Sequence, residues 1–198
     1  MTELIQAVNL AQTPAQMVQA VQNLAAAKDP AAIPTLIKVF GYNNPGAAMA
    51  AVAGLIELGE QAVPQLLSQI DDYNYGARAY SIRSLAAIAD PRALDIFISI
   101  VLTDFAPSVR RAAIKGLGNL QWQKLPASEQ STAINRAVET LLWICQDTDW
   151  SIRYAAVVGL QAMAKIPEVR SPILSKFQEM LTNDTEKAVR ARVLMANN

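Results

Sequence analysis

Apolar residues recur at three- and four-residue intervals along most of this chain, in short runs broken by Gly, Pro, Asn and Asp. That spacing puts them on one face of a helix, so the pattern predicts helices joined by tight turns. Residues 2–27 read as two short helices divided at Thr13-Pro14, a cap followed by a first-turn proline. Asp29-Pro30 opens a helix running to Phe40, with Ile33, Leu36, Ile37 and Phe40 on one face. After a turn over 41–46, residues 47–58 form the second helix of that pair, stopped by Gly59. Residues 60–70 repeat the first helix: Val63-Pro64-Gln65-Leu66-Leu67 follows Ile33-Pro34-Thr35-Leu36-Ile37 by 30 residues. The same plan predicts helices over 77–89, 91–102, 108–120, 131–145, 151–165, 172–181 and 186–196, with a longer connection over 121–128. Strand-like alternation is missing, so the expectation is an all-α chain without a sheet.

The helices carry a repeat. Asp72 and Arg78, Asp104 and Arg110, Asp147 and Arg153, and Asp184 and Arg190 are each six residues apart at the start of an apolar run. Gly116-Leu117 and Gly159-Leu160 close two of these runs, Ser84-Leu85 stands at the same offset, and Gly54-Leu55 marks a copy without the charged pair. The leucines at 24, 55, 85, 117 and 160 give a period of mostly 30 to 32 residues with one longer copy. A helical period of that size predicts a solenoid of stacked helical hairpins, expected here as one continuous domain over residues 1–198. Periodic residues are scaffolding by preference. The aspartate ends a loop, the arginine lies in the next first turn, and stacked copies place them in a ladder.

Charge and composition narrow the chemistry. Lys+Arg and Asp+Glu are 17 each, and this balance argues against nucleic acid, whose phosphates need a cationic excess. No apolar run approaches the ~20 residues of a membrane span, and the N-terminus lacks the layout of a secretory signal. A lone Cys145 forms no internal disulfide, which together with those features predicts a cytoplasmic protein. Histidine is absent. Ser-His-Asp and Cys-His machinery and His-containing zinc sites are therefore excluded, and neither a metal nor a cofactor is expected. Any chemistry falls to carboxylates, tyrosines, arginines, lysines or the one thiol.

Departures from the repeat are where candidates lie. The stretch from Asp71 to Arg83 holds Tyr73, Tyr75, Arg78, Tyr80 and Arg83 behind Asp71 and Asp72. Tyr80 stands where the later copies have Ala112 and Ala155. A second cluster runs from Asp147 to Tyr154 and holds Trp150, Arg153 and Tyr154. Second helices of such arrays usually line the concave side. There, aromatics with arginines grip a planar anionic ligand, or else large residues fill gaps where the unit spacing changes. Trp143 and Cys145 share the apolar run 141–145, which predicts core packing for both. Trp122, in the long connection, is expected at the surface as a contact residue.

The run from Asn74-Tyr75-Gly76-Ala77-Arg78-Ala79-Tyr80-Ser81-Ile82-Arg83 through Asp90-Pro91-Arg92-Ala93-Leu94 to Val109-Arg110-Arg111-Ala112-Ala113 resembles the E/F-type phycobilin lyases of cyanobacteria. Length and ending resemble the F subunits that act on the phycocyanin alpha subunit. The Val-Arg-x-Ala-Ala units are generic to HEAT-like repeats; Asn-Tyr-Gly-Ala-Arg-Ala is the more telling stretch. The resemblance implies a HEAT-like, armadillo-like α-α superhelix. It also implies a heterodimer with an E-type subunit that attaches phycocyanobilin, a substrate and not a cofactor, through a thioether to a cysteine of the phycocyanin alpha subunit. A related F subunit that also isomerises the pigment carries a His-Cys motif. This chain has no histidine, so ligation without isomerisation is the expectation.

On that resemblance, the arginines such as Arg78 and Arg83 pair with the pigment's propionates, Asp72 holds pyrrole nitrogens, and Tyr73, Tyr75 and Tyr80 wall the pigment. Asp72 and Tyr75 are the candidate proton donors, since thiol addition to the ethylidene group needs a proton delivered to the conjugated system. Trp150, Arg153 and Tyr154 join the substrate-binding candidates. The acceptor thiol belongs to phycocyanin, so Cys145 is not required to react. The alternative expectation is a non-enzymatic HEAT-like adaptor or chaperone that binds phycobiliproteins during phycobilisome assembly or disassembly.

Overall fold

The computed structural model describes residues 1–70 and 74–197; Asp72 and Tyr73, two of the candidates, lie outside the described residues. Among the described residues there are twelve α-helices and no strand. The chain divides into two compact units, Met1–Ile88 and Ala89–Asn198.

The first unit holds α1 (Thr2–Leu10), α2 (Pro14–Ala26), α3 (Ile33–Val39), α4 (Pro45–Leu58), α5 (Val63–Ser68) and α6 (Tyr75–Ile88). Helices α2, α4 and α6 lie side by side, with α3 packed against α4, and α5 against α6. Local chemistry sets the boundaries. Thr13 and Gln16 make a reciprocal capping box at α2. The Oδ1 atoms of Asn44 and Asn74 accept from Ala47 N at 3.1 Å and Ala77 N at 3.0 Å. These caps start α4 and α6 two residues earlier than the apolar pattern predicts, because the pattern registers burial and not the first unburied turn. Gly59, at φ +60°, ends α4 in a conformation that only glycine adopts cheaply.

The second unit holds α7 (Leu94–Thr103), α8 (Pro107–Asn119), α9 (Ala127–Ile144), α10 (Trp150–Met163), α11 (Pro167–Asn183) and α12 (Lys187–Ala196). Helices α8, α10 and α12 form one layer; α7, α9 and α11 form the other, each packed on its hairpin partner. The sequence pattern starts α11 at Pro172, but the helix begins at Pro167 and Pro172 sits inside it. Proline at the first position needs no intrahelical donor, whereas the second removes one amide bond from an exposed stretch.

The repeat's marker residues explain how the layers close. Leu24, Leu55, Leu85, Leu117 and Leu160 are all fully buried. A methyl on Gly116 would stand 2.5 Å from the Phe97 ring, and one on Gly118 would stand 2.7 Å from the Gly159 backbone. Gly116 thus leaves room for the Phe97 ring of α7, and Gly118 lets α8 meet α10 nearly backbone to backbone. Buried Ser84, at the marker position of α6, turns its hydroxyl to Tyr80 O at 2.9 Å and leaves no unpaired donor.

The ladder expected from the Asp-x5-Arg spacing is present in the second unit. Arg110 Nη2 donates to Asp147 Oδ2 at 2.6 Å, and Arg110 Nε donates to the Val101 carbonyl at 2.9 Å. Arg153 clamps Asp184 through Nε at 2.8 Å and Nη2 at 2.9 Å, while its Nη1 donates to Asp147 O at 2.8 Å. Each aspartate also folds its own loop: Asp147 Oδ1 accepts from Asp149 N and Asp184 Oδ1 from Glu186 N, both at 2.9 Å. One arginine thus joins its own loop's backbone to the next loop's carboxylate.

Two tryptophans differ from expectation. Trp122 is buried, because residues 122–124 form a tight 3-10 turn that tucks under the unit, with Gln121 N bonded to Ala89 O at 2.9 Å. Trp143 is 63% exposed. Helix α9 buries Leu141 and Ile144, and two residues along a helix is a rotation of about 200°, which turns position 143 to solvent. An unbroken apolar run cannot reveal which of its members faces out. Cys145 is buried as expected.

The Arg153 guanidinium beside Asp184 holds its carboxyl below the ordinary 3.8, against the raising effect of burial. A carboxyl depressed in the folded state contributes stability that is present above its ordinary value and lost as pH falls through the folded one. Asp184→Asn is therefore expected to lower stability at neutral pH by about 3 kcal/mol and to shrink the loss seen below pH 4, measured by denaturant titration. Gly118→Ala is expected to cost about 1–3 kcal/mol through overpacking against Gly159, with helicity retained in the far-UV spectrum.

Candidate functional site

In the first unit, α6 carries the candidates and its cap sets their height. Asn74 fixes the start, so Tyr75 occupies the first helical position, 45% exposed. One turn on, Arg78 is buried at 4% exposure. Tyr80 packs on Phe40 with ring centroids 5.5 Å apart and planes tilted 31°. That pair floors a hollow of about 200 Å³, rimmed by Asn44, Pro45, Asn74 and Gly76. Arg83 is exposed and directs Nη1 to Met49 Sδ at 3.2 Å. A thioether is a weak acceptor, so this guanidinium is held lightly and keeps its charge available. Tyr80 thus belongs to a local aromatic floor, Tyr75 and Arg83 are presented to solvent, and Arg78 is not.

In the second unit, α10 separates its three candidates by rotation. Asp149 Oδ1 accepts from Ser151 N at 2.8 Å and caps the helix, which places Trp150 at its first position. The Ser151 hydroxyl and amide together hold the Asp149 carboxyl below its ordinary value. Trp150 and Tyr154 are four residues apart on one exposed face, at 48% and 36% exposure. Arg153 faces the other way, into the Asp184 clamp, where that carboxylate raises its already high pKa. Arg153 is therefore a staple for the loops, and the open face of α10 is aromatic.

A cation missed in the sequence reading reaches that face from the neighbouring helix. Arg111 of α8 donates from Nη1 to Ser151 Oγ at 3.0 Å, and both Arg111 and Lys115 are exposed. The signal was in plain view: Arg110 and Arg111 are adjacent, and a helix turns about 100° between them. If the first enters the ladder, the second points away from it.

Cys145 lines a different hollow of about 250 Å³, with Asp147, Arg153, Lys176 and Asp184 on its walls. Burial outweighs the nearby Lys176 and pushes the thiol up to about 12. Among the described residues no group of His, Cys, Asp and Glu side chains is placed to hold a metal ion, and no helix is long and apolar enough to cross a membrane.

The HEAT-repeat family profile matches residues 63–134 and 98–197. A phycocyanobilin lyase subunit beta of Nostoc sp. is 66% identical over 99% of this chain and 98% of its own length. The chain belongs to the HEAT-repeat family of phycocyanobilin lyase beta subunits. The phycocyanin alpha phycocyanobilin lyase CpcF of Synechocystis sp. is 48% identical, over 96% of this chain and 90% of that relative. Among solved structures, the complex of CpcE and CpcF of phycocyanin lyase from Nostoc sp. contains a chain that superposes with a TM-score of 0.84 at 66% identity, covering 86% of this chain and 100% of that one. A designed armadillo-repeat protein, 16% identical over 99% of both chains at a TM-score of 0.55, shares the fold alone. The lyase family is thus all-α and HEAT-like in this member.

For this family member, Cys145 is expected to stay unreactive. With its thiol near 12, only about one molecule in ten thousand is thiolate at pH 8. An aromatic disulfide reagent should titrate no thiol in the native chain within minutes and one equivalent after denaturation.

Proposed function

We propose that this chain is the smaller subunit of a heterodimeric lyase, acting with an E-type subunit, that attaches phycocyanobilin through a thioether bond to a cysteine of the phycocyanin alpha subunit. The observation that carries this reading is the full-length match to the Nostoc lyase subunit, supported by the superposition on a chain of the CpcE–CpcF complex. On this reading the protein acts in the cytoplasm and takes the pigment as its substrate, with no cofactor.

The chemistry is an addition. The acceptor thiol forms a carbon–sulfur bond at the pigment's ethylidene carbon, and one proton passes to the conjugated system, so nothing is oxidised and nothing leaves. The chain's own thiol is not the nucleophile, because its burial keeps it protonated. With no histidine available, proton delivery falls to a phenol or a carboxylic acid, and exposed Tyr75 is the described candidate. Arg78 is assigned to packing, not to first contact with the pigment, since it is buried. Most of the rate advantage comes from holding a flexible open-chain tetrapyrrole in one attack geometry. The exposed aromatic face of Trp150 and Tyr154 and the Tyr80–Phe40 floor are surfaces of the right chemistry for that.

The test is reconstitution. The chain, the larger subunit, phycocyanobilin and apo-phycocyanin alpha subunit are combined, and fluorescence of the acceptor is read on a denaturing gel. Covalent fluorescence that requires both lyase chains is expected, with Tyr75→Phe lowering the rate about tenfold or more. A chain that binds phycocyanin yet never raises the yield of ligated pigment would instead be a non-enzymatic adaptor.

A further inference from the structure

We infer that Arg111 and Lys115 of α8 form the carboxylate-binding edge of the pigment site whose aromatic wall is Trp150 and Tyr154 of α10. This inference rests on the pigment-handling reading above and assigns a specific role within it. The candidate arginine on α10 is committed elsewhere: Arg153 spends Nε and Nη2 on Asp184 and Nη1 on Asp147 O. An anion arriving at the exposed face of α10 therefore meets cations from α8 instead.

The geometry joins the two helices at that face. Arg111 Nη1 lies 3.0 Å from Ser151 Oγ, and Ser151 stands between Trp150 and Tyr154 at the start of α10. Trp150 and Tyr154 share one side of the helix, as do Arg111 and Lys115, each pair four residues and about 6 Å of rise apart. Close approach of α8 and α10 at Gly118 and Gly159 keeps the two rows in register. Lys115 is exposed and has no carboxylate partner among the described residues. Arg111 uses one N–H on a neutral hydroxyl, which leaves its charge unneutralised by an ion pair. The carboxylate nearest in effect is Asp149, whose proton affinity Arg111 helps to lower. Asp149 is itself bound to Ser151 N as the helix cap. It weakens the field of Arg111 in part, and Lys115, one turn further along, is removed from it.

Two positive side chains beside two exposed aromatic rings match a flat conjugated ligand that carries two flexible carboxylates. Stacking holds the conjugated plane, while ammonium and guanidinium meet the propionates at its edge. Stacking alone does not distinguish which way round the pigment lies. The carboxylates lie on one side of the tetrapyrrole, so pairing them fixes its orientation and hence which end faces the incoming thiol.

The experiment compares phycocyanobilin with its dimethyl ester, which keeps the conjugated system and loses both charges. Binding of each to the full chain together with the larger lyase subunit is followed by the pigment's absorbance. The native complex is expected to prefer the diacid by about tenfold at low salt, with the preference shrinking as salt is raised. Combined Arg111→Ala and Lys115→Ala should erase that preference and leave ester affinity within about twofold of native. Arg111→Lys on the native background should retain most of it, and Arg170→Ala, an exposed cation on α11, should change nothing. A double variant that still prefers the diacid by the native factor, or a native complex indifferent to esterification, would overturn the assignment while leaving pigment binding in place. A native complex that takes up neither compound would overturn the pigment-handling reading itself.

Discussion

Everything in the second unit depends on one side chain position, the arginine in the first turn of α8, α10 and α12. A loop that ends one helix and begins the next leaves backbone carbonyls without partners, and these stacked loops crowd together where water has poor access. Arg153 addresses both problems at once, donating to the Asp147 carbonyl of its own loop and to both oxygens of Asp184 in the next. Arg110 does the same with Val101 O and Asp147. The guanidinium's planar fork makes this possible; a lysine's single nitrogen cannot grip both carboxylate oxygens side by side while a separate N–H holds the other loop. Asp147 and Asp184 would be expensive to bury alone, and with two kinds of donor each they become cross-links.

That constraint explains how α10 turns one face to the scaffold and another to solvent. The ladder pins Arg153 inward, and helical rotation then pins Trp150 and Tyr154 outward on a helix that cannot roll. A fixed aromatic surface suits a flexible ligand in general, because the ligand's own freedom is then the main entropy still to be lost. In the first unit the same end is reached differently. Asparagine caps at Asn44 and Asn74 fix two helix starts, and Tyr80 rests on Phe40 in the position where the repeat elsewhere has alanine. A bulky ring at a small-residue position opens a hollow beside it, which is how a departure from the repeat becomes a shape.

Much of this was legible in the sequence because periodic residues are constrained by the same contact each time. The aspartate–arginine ladder and the marker leucines could be placed from spacing alone, whereas the close approach at Gly118 and Gly159 emerged only from the packing. What failed was facing within a run. Trp143 sits in an apolar stretch yet turns outward, since hydrophobicity over 141–145 has no polar gap to mark the exposed side. Trp122 sits in a connection yet is buried, because a 3-10 turn folds it under the unit. Pro172 looked like a helix start, but Pro167 had already supplied one. The candidate site was half legible for a related reason. Residue types pointed to arginine and aromatic rings near the starts of second helices, but spacing could not say which arginines the ladder had already taken.

The pair Arg110 and Arg111 shows why that question decides the chemistry. The two are neighbours in sequence with the same side chain, yet one is part-buried against Asp147 and the other open to solvent beside Ser151. A repeat protein whose net charge is zero cannot attract an anion by its overall field. Any attraction must come from local imbalance, where a cation is left over after the scaffold has paired its own. In α8 the arginine at the repeat position is neutralised by Asp147, and the surplus charge is carried one residue later by Arg111, on the face the ladder leaves exposed. A binding surface can then arise in a solenoid without disturbing the period that holds it together. It needs only a change of residue beside a ladder contact, and the rotation of the helix does the rest.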